Sequence, residues 1–224
     1  MIITSLAVSN LTKKGRGNTM KKLITIVLTV AVFGLSVLPS TAYALSWDQR
    51  TAFVKTAQQE LGSGSDADGR TTYGKWYGDH AGSATFMRGY WPFWHEEEWA
   101  KQQWCAMFVS WCANENGLLD SDIPFYASVV DMQKWYQDNG KYKAKGSYVP
   151  VPGDIAFFKN ENGQWQHVGI VESVSLTYLP AIRYTNIDIT CIEGDCVVGN
   201  ETKVLENTYY GEKGSLTIVG YGVN

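Results

Sequence analysis

Residues 102–117, QQWCAMFVSWCANENG, predict the helix on which the rest of the fold is built. Apolar residues at positions 105, 108, 109, 112 and 113 follow the i, i+3, i+4, i+7, i+8 spacing of one helical face, and Gly117 follows as a stop signal. Cys105 and Cys112 therefore lie on one apolar stripe, about two turns apart. Cys112 is deep on this stripe, and Cys105 is at its end.

The position of Cys105 at the start of the helix is one that a cysteine nucleophile would occupy. A thiolate at a helix N-terminus is stabilised by the macrodipole and by unpaired backbone N–H groups. Two observations stand against a reactive thiol. Free cysteines are among the most buried residues, and the preceding stretch HEEEWAK (95–101) could itself be helical and run unbroken into Cys105.

The rest of the chain predicts an α+β layout. One helix is expected over residues 46–61 and another over 128–137, whereas 62–93 form a Gly-rich, aromatic-rich loop system without a sustained period. A hairpin is predicted from strands at 154–158 and 164–174, with further strands near 182–192, 202–209 and 215–221. We therefore expect a single domain, with N-terminal helices packed on one face of an antiparallel sheet.

The first 44 residues have the pattern of an N-terminal extension and a secretory signal. Two lysines at 21–22 precede an apolar run over 23–38, and Ala42-Tyr43-Ala44 ends the segment with small residues. The apolar run is short for a membrane span, which needs about 20 residues. The sequence thus predicts cleavage after Ala44, secretion, and a mature domain over residues 45–224.

The charge balance excludes one class of partner. Residues 1–44 carry five basic residues and no acidic one, so cleavage would change the net charge from −3 to −8, with 14 basic against 22 acidic residues. A nucleic-acid partner would require a basic face. We expect a monomer with no nucleic-acid partner and no stable membrane association after cleavage.

A cysteine nucleophile needs a base within hydrogen-bond reach and usually a third group that orients the base. Of the three histidines, His80 and His95 lie in irregular stretches, whereas His167 lies in the predicted strand QWQHVGIV. A sheet holds a side chain rigidly, so His167 is the best candidate base. The alternative is a structural histidine half-buried in the sheet.

The candidate orienting group comes from CIEGDC, residues 191–196. A strand that ends there would lie beside the His167 strand if the hairpin continues. Glu193 is the preferred carboxylate, and Asp195 is the alternative.

Together these stretches resemble the CHAP domain, the cysteine, histidine-dependent amidohydrolase/peptidase family. The resemblance covers roughly residues 76–222, and its four motifs, in order, are WCAMFVSWC (104–112), PGDIAFF (152–158), HVGIV (167–171) and IEGD (192–195). It implies a papain-like fold in which Cys105 is the nucleophile, His167 the base and Glu193 the third member.

This chain departs from the family pattern at two places. The family often has Glu-Gly-Asn where this chain has Glu193-Gly194-Asp195, which leaves the third role open between Glu193 and Asp195. Extra residues around 175–190 predict a longer hairpin near the site.

Different roles are predicted for the other three cysteines. Because Cys105 must remain a thiol, Cys191 and Cys196 are candidates for a disulfide that closes a short loop around Glu193. Cys112 is then expected to be an inert core thiol.

The resemblance implies thioester chemistry, in which the Cys105 thiolate attacks an amide carbonyl and His167 transfers the proton. Backbone N–H groups at the start of the helix would hold the oxyanion, with Gln102 or Gln103 as an additional donor. Trp104 belongs to a cluster of tryptophans that predicts either a sugar-stacking groove or, for at least half of its members, core packing. The cluster consists of Trp76, Trp91, Trp94, Trp99 and Trp104.

Neither of two metal-like motifs is complete. HEEEW (95–99) lacks the second histidine of a zinc helix, and DADGR (66–70) has its glycine too early for a calcium loop and is interpreted as a turn, although some CHAP domains bind calcium in this region. We expect no metal and no cofactor.

The substrate is inferred from the resemblance alone, which implies amide or peptide bonds of bacterial cell-wall peptidoglycan. One alternative is a non-catalytic wall-binding or glycan-binding module on the same fold. Another is a cysteine peptidase that acts on proteins.

Overall fold

The central helix begins at Cys105 and ends at Glu115 in the computed structural model, which describes residues 44–81, 99–179, 184–210 and 216–224. The helices in the described part are α1 (Trp47–Gln59), α2 (Thr72–Ala81), α3 (Cys105–Glu115) and α4 (Val129–Asp138). The strands are β1 (Tyr142–Ala144), β2 (Ile155–Asn160), β3 (Trp165–Leu179), β4 (Tyr184–Val198), β5 (Glu201–Tyr210) and β6 (Leu216–Gly222).

The six strands form one antiparallel sheet in the order β1-β6-β2-β3-β4-β5. Helix α3 packs on β3 and β4, and α1, α2 and α4 surround it. The prediction of an α+β domain with helices on an antiparallel sheet is therefore confirmed. No helix among the described residues has the length and apolar character needed to cross a membrane.

Both faces of the sheet are buried near its centre. Successive strand residues point to opposite faces, so in β2 Ile155 and Phe157 join the core beneath the helices, whereas Ala156 and Phe158 join a second apolar cluster on the other face. The second cluster also contains Val171 and Cys191.

The predicted loop system over 62–93 is wrong at residues 72–81, which form α2. Its buried face consists of Tyr73, Tyr77 and Ala81, spaced by four residues, and Gly74. A Cβ on Gly74 would lie 2.5 Å from the carbonyl oxygen of Trp99, so glycine at this position allows α2 to pack closely on the backbone there. Residues 82–98 lie outside the described part of the chain.

A buried ion pair anchors the start of β2 to α1. Arg50 Nη1 lies 2.9 Å from Asp154 Oδ1, and both side chains are almost completely shielded from solvent. Tyr148 donates to Asp154 Oδ2 at 2.8 Å, and Arg50 also donates to the carbonyl oxygen of Pro152 at 3.1 Å. Asp154 of the PGDIAFF motif thus has a structural role, because its buried charge needs the partner that Arg50 supplies.

The candidate disulfide between Cys191 and Cys196 is not formed, since all four cysteines are free. Both residues lie on β4, where Cys191 pairs with Asn207 and Cys196 with Lys203 of β5. These partners are four steps apart along β5, which corresponds to about 13 Å and is far beyond the roughly 7 Å that a disulfide can span. Cys191 is instead packed in the second apolar cluster.

Candidate active site

Cys105 is the first residue of α3, so its thiol lies at the helix N-terminus, the position predicted for it from the sequence. Residues 100–104 are not helical, so the possibility that an earlier helix runs unbroken into Cys105 is wrong. The N-cap residue Trp104 makes no side-chain capping bond. The first backbone N–H groups of the helix are therefore available to stabilise negative charge.

Gly194 allows the start of α3 to approach the sheet. A Cβ at this position would lie 2.5 Å from the Trp104 ring and 2.8 Å from Phe108 Cβ. Only a glycine permits this contact between β4 and the first turn of the helix. The contact brings the segment around Cys105 to the same part of the sheet as His167 and Glu193.

His167 and Glu193 project from the neighbouring strands β3 and β4. The pairing of Ile170 with Ile192 places Glu193 diagonally across from His167 on one face of the sheet. Glu193 Oε2 lies 2.8 Å from His167 Nε2, and the two side chains are 1% and 9% exposed, respectively. The contact is short enough for an ion pair but too bent for a regular hydrogen bond.

The environment of His167 favours its protonated form. Burial alone would lower the pKa of His167, but interactions with the side chains of Cys105, Cys196 and Glu193 together raise it well above the ordinary value. The structure thus brings the start of α3 and an imidazole whose surroundings favour its protonated form into interaction at Cys105.

Asp195, the alternative third member, contacts the helix. It has a left-handed backbone conformation, with a φ of 64°, and its Oδ2 accepts a bond of 3.4 Å from the backbone N–H of Trp104. Burial raises the pKa of Asp195, although the Trp104 bond, the charge of His167 and a bond with Thr202 act in the opposite direction. Of the two carboxylates, Glu193 has the ion-pair contact with His167.

The other candidate residues differ in exposure. The Trp104 ring is 2% exposed, stacks on Tyr73 at 5.0 Å and donates to Thr202 at 2.9 Å. This burial makes the Trp104 ring a packing element, which is the second of the two roles predicted for the tryptophan cluster. Gln102 is half-buried and Gln103 is exposed in the loop before α3, and their role as oxyanion donors stays a prediction.

The described part of the tryptophan cluster belongs largely to the core. Trp99 is buried, and Trp76 is partly buried against the same apolar cluster. Trp91 and Trp94 lie outside the described residues. His95 also lies outside them, whereas His80 is exposed and its Nδ1 contacts the carbonyl oxygen of Trp76 at 2.8 Å.

Two residues near Glu193, Tyr209 and Cys196, were not predicted as functional from the sequence. Strand pairing brings both of them to the site. The Tyr209 hydroxyl donates to Glu193 Oε1 at 2.8 Å and lies 3.0 Å from Oε2. Cys196 Sγ lies 4.0 Å from Glu193 Oε2 and accepts from Asn207 Nδ2 at 3.6 Å. No local motif marks Tyr209, because its contact depends on the register between β4 and β5.

We expect Tyr209→Phe to lower kcat about tenfold while KM is unchanged. The substitution removes a hydrogen bond to the Glu193 carboxylate, which contributes about 1.5 kcal/mol, and so loosens the candidate group for orienting His167. Steady-state hydrolysis kinetics check this. The matched control is Tyr210→Phe, because Tyr210 is 63% exposed. Equal kcat values for Tyr209→Phe and the wild type would contradict the positioning role.

The part of the chain that contains Cys105 and His167 matches a known protein family. Residues 96–182 match the CHAP domain. The match confirms the resemblance drawn from the motifs. No curated protein and no solved structure matches the chain significantly.

The matched CHAP segment contains Cys105 and His167, whereas Glu193, Asp195 and Tyr209 lie beyond it. A CHAP domain indicates a cysteine- and histidine-dependent amidohydrolase or peptidase. The observed helices and antiparallel sheet are compatible with the papain-like fold of this family.

Proposed function

We propose that this protein is a secreted cysteine hydrolase that cleaves amide or peptide bonds of bacterial peptidoglycan, with Cys105, His167 and Glu193 as its catalytic triad. The observation that carries the proposal is the meeting of three elements at one point. The start of α3 supplies the thiol, β3 the imidazole and β4 the carboxylate, which lies 2.8 Å from the imidazole. This is the arrangement of nucleophile, base and orienting group that covalent acyl transfer needs.

The reaction follows from these positions. The Cys105 thiolate attacks the amide carbonyl carbon, and the developing oxyanion is held by backbone N–H groups at the start of α3. The His167 imidazolium gives its proton to the leaving amine as the C–N bond breaks, leaving a thioester. His167 then accepts a proton from water, which attacks the thioester carbonyl carbon; the C–S bond breaks, releasing the carboxylic acid and regenerating the Cys105 thiolate beside the imidazolium. Glu193 stabilises the charged imidazole and holds its orientation.

Secretion is part of the proposal and rests on the pattern of the first 44 residues. Leu45 would be the first residue after cleavage. Its side chain is buried in the core, and its carbonyl oxygen accepts a bond of 3.3 Å from Arg50. A cleavage after Ala44 would therefore leave this contact intact. Sequencing the N-terminus of the exported protein tests the site, and a start at a residue beyond Leu45 would contradict it.

The activity test incubates residues 45–224 with purified peptidoglycan, beside the Cys105→Ala variant, and analyses the soluble fragments by mass spectrometry. New fragments from the wild type alone are expected, and their masses identify the bond. The bond is either the link between sugar and first alanine or a bond within the stem or cross-bridge.

Two outcomes would overturn the proposal. If neither protein releases fragments but both sediment with the wall, the fold acts as a non-catalytic wall-binding module. If the wall remains intact while the wild type cleaves a protein substrate and Cys105→Ala does not, the enzyme is a cysteine peptidase of different specificity.

A further inference from the structure

A second cluster of potential ligands overlaps the orienting side of the candidate active site. The Nε2 atom of His167, a carboxylate oxygen of Glu193 and the Sγ atom of Cys196 all lie within 4.8 Å of one another. Cys196 does not belong to the proposed triad, so the hydrolytic mechanism leaves its thiol without a role.

An irregularity in β4 creates this cluster. Residues 193 and 196 would point to opposite faces of a regular strand, because side chains alternate. The pairing of β4 with β5 shifts between Glu193 and Cys196, and Asp195 within the shift has a φ of 64°. Such bulges redirect side chains. Here the bulge returns the Cys196 thiol to the side of Glu193, with Sγ 4.0 Å from Oε2.

His167 Nε2 is the buried atom of the cluster that lacks a hydrogen bond. It makes none of acceptable geometry to the described residues, and the His167 side chain is 9% exposed. The Glu193 oxygen, 2.8 Å away, balances the charge of a protonated imidazole. It does not lie along the N–H direction of Nε2, so no hydrogen bond forms. A buried ring nitrogen without a hydrogen bond is unfavourable, and a bound cation would satisfy it.

The three ligand types select a particular metal class. Imidazole nitrogen, thiolate sulfur and carboxylate oxygen are the ligands of zinc, whereas calcium and magnesium prefer oxygen alone. Bond lengths of about 2.0 Å to nitrogen and oxygen and about 2.3 Å to sulfur put tetrahedral ligands roughly 3.3–3.7 Å apart. The observed separations, from 2.8 to at most 4.8 Å, approach this with small side-chain movements.

The ligands also have supporting partners on β5. The Tyr209 hydroxyl donates to Glu193 at 2.8 Å, and the Asn207 amide donates to Cys196 Sγ at 3.6 Å. Hydrogen bonds of this kind orient metal ligands and favour their charged forms.

We propose that Zn²⁺ binds His167, Glu193 and Cys196 and reversibly blocks hydrolysis. Binding releases the thiol proton of Cys196 and the Nε2 proton of His167 to solvent. The metal then occupies the nitrogen that faces Glu193 and keeps the imidazole from cycling between its charged and neutral forms. The inhibitory consequence rests on the proposed function, whereas the binding itself does not.

Binding is tested with Co²⁺ as a spectroscopic substitute for Zn²⁺ in the Cys105→Ala variant, where the candidate nucleophile cannot contribute a thiolate. We expect one Co²⁺ per chain, a near-ultraviolet thiolate-to-cobalt band, and displacement of the Co²⁺ by Zn²⁺. The band should disappear in the Cys105→Ala, Cys196→Ser double variant. Circular dichroism confirms that both variants are folded, and Cys105→Ala, Cys196→Ala replaces the serine variant if it is not. A missing band in Cys105→Ala, or one that survives the loss of Cys196, would overturn the proposal.

Inhibition is tested on the protein with an intact Cys105. Zn²⁺ should inhibit wild-type peptidoglycan hydrolysis, a chelator should restore it, and Cys196→Ser should need at least about tenfold more Zn²⁺ for the same effect. Equal sensitivity of Cys196→Ser and the wild type would refute inhibition through this site. A protein that binds Co²⁺ through Cys196 but hydrolyses nothing would overturn the proposed function and leave the metal site standing.

Discussion

Cys105→Ala is expected to lower kcat/KM for peptidoglycan hydrolysis by about 10⁴-fold or more, because it removes the thiol that is proposed to form the thioester. The substitution should leave the fold intact, since it removes one sulfur atom at the first turn of α3. Fragment release measured against protein concentration, together with the thermal unfolding midpoint, checks both expectations.

Cys112→Ala is the matched control for this substitution. Cys112 lies on the same helix and is completely buried, and burial raises the pKa of its thiol well above the ordinary value. It is therefore a neutral packing group. Its removal should lower the free energy of unfolding by about 1–2 kcal/mol and leave kcat unchanged in the folded fraction. If Cys105→Ala retained activity while Cys112→Ala lost it, the nucleophile would be misassigned.

Glu193→Gln is expected to lower kcat/KM by about 10²- to 10⁴-fold, because the amide keeps the size of the side chain but removes the charge that stabilises and orients the imidazolium. Glu193 contributes to the raised pKa of His167. Its loss should therefore lower this pKa, so that the imidazolium is lost at a lower pH. The alkaline limb of the pH profile of kcat/KM should shift toward lower pH, measured with a chelator present to exclude bound metal.

Asp195→Asn is the matched comparison for Glu193→Gln. Asparagine can still accept the bond from the backbone N–H of Trp104, and it is the residue often found there in the CHAP pattern. We expect a change in kcat/KM of less than about tenfold and little shift of the alkaline limb. A larger loss in Asp195→Asn than in Glu193→Gln would assign the third role to Asp195.

Local periodicity was a sound guide wherever an element has one continuous buried face. The spacing in residues 105–113 predicted α3, and the run at 154–174 predicted the hairpin of β2 and β3. The same criterion failed for α2. Its buried face is carried by two tyrosines, an alanine and a glycine, and Gly74 packs against the backbone of Trp99 and Ala100, a contact that periodicity within residues 72–81 does not reveal.

The sequence by itself determined the fold class, the helix that carries Cys105, and the strand that carries His167. These properties depend on residue spacing within one segment, so they can be predicted without knowing what that segment packs against. The CHAP motifs added the chemistry that this spacing supports.

Only the tertiary structure decided which side chains meet. The start of α3 could not be located in the sequence, and the structure places it at Cys105 because residues 100–104 are not helical. The contact of Glu193, rather than Asp195, with His167 depends on the register of β3 and β4. The pairing of β4 with β5 keeps Cys191 and Cys196 apart, and the bulge in β4 brings Cys196 to Glu193 instead. Strand register and bulges are set by packing between distant segments, and no local pattern in this chain specifies them.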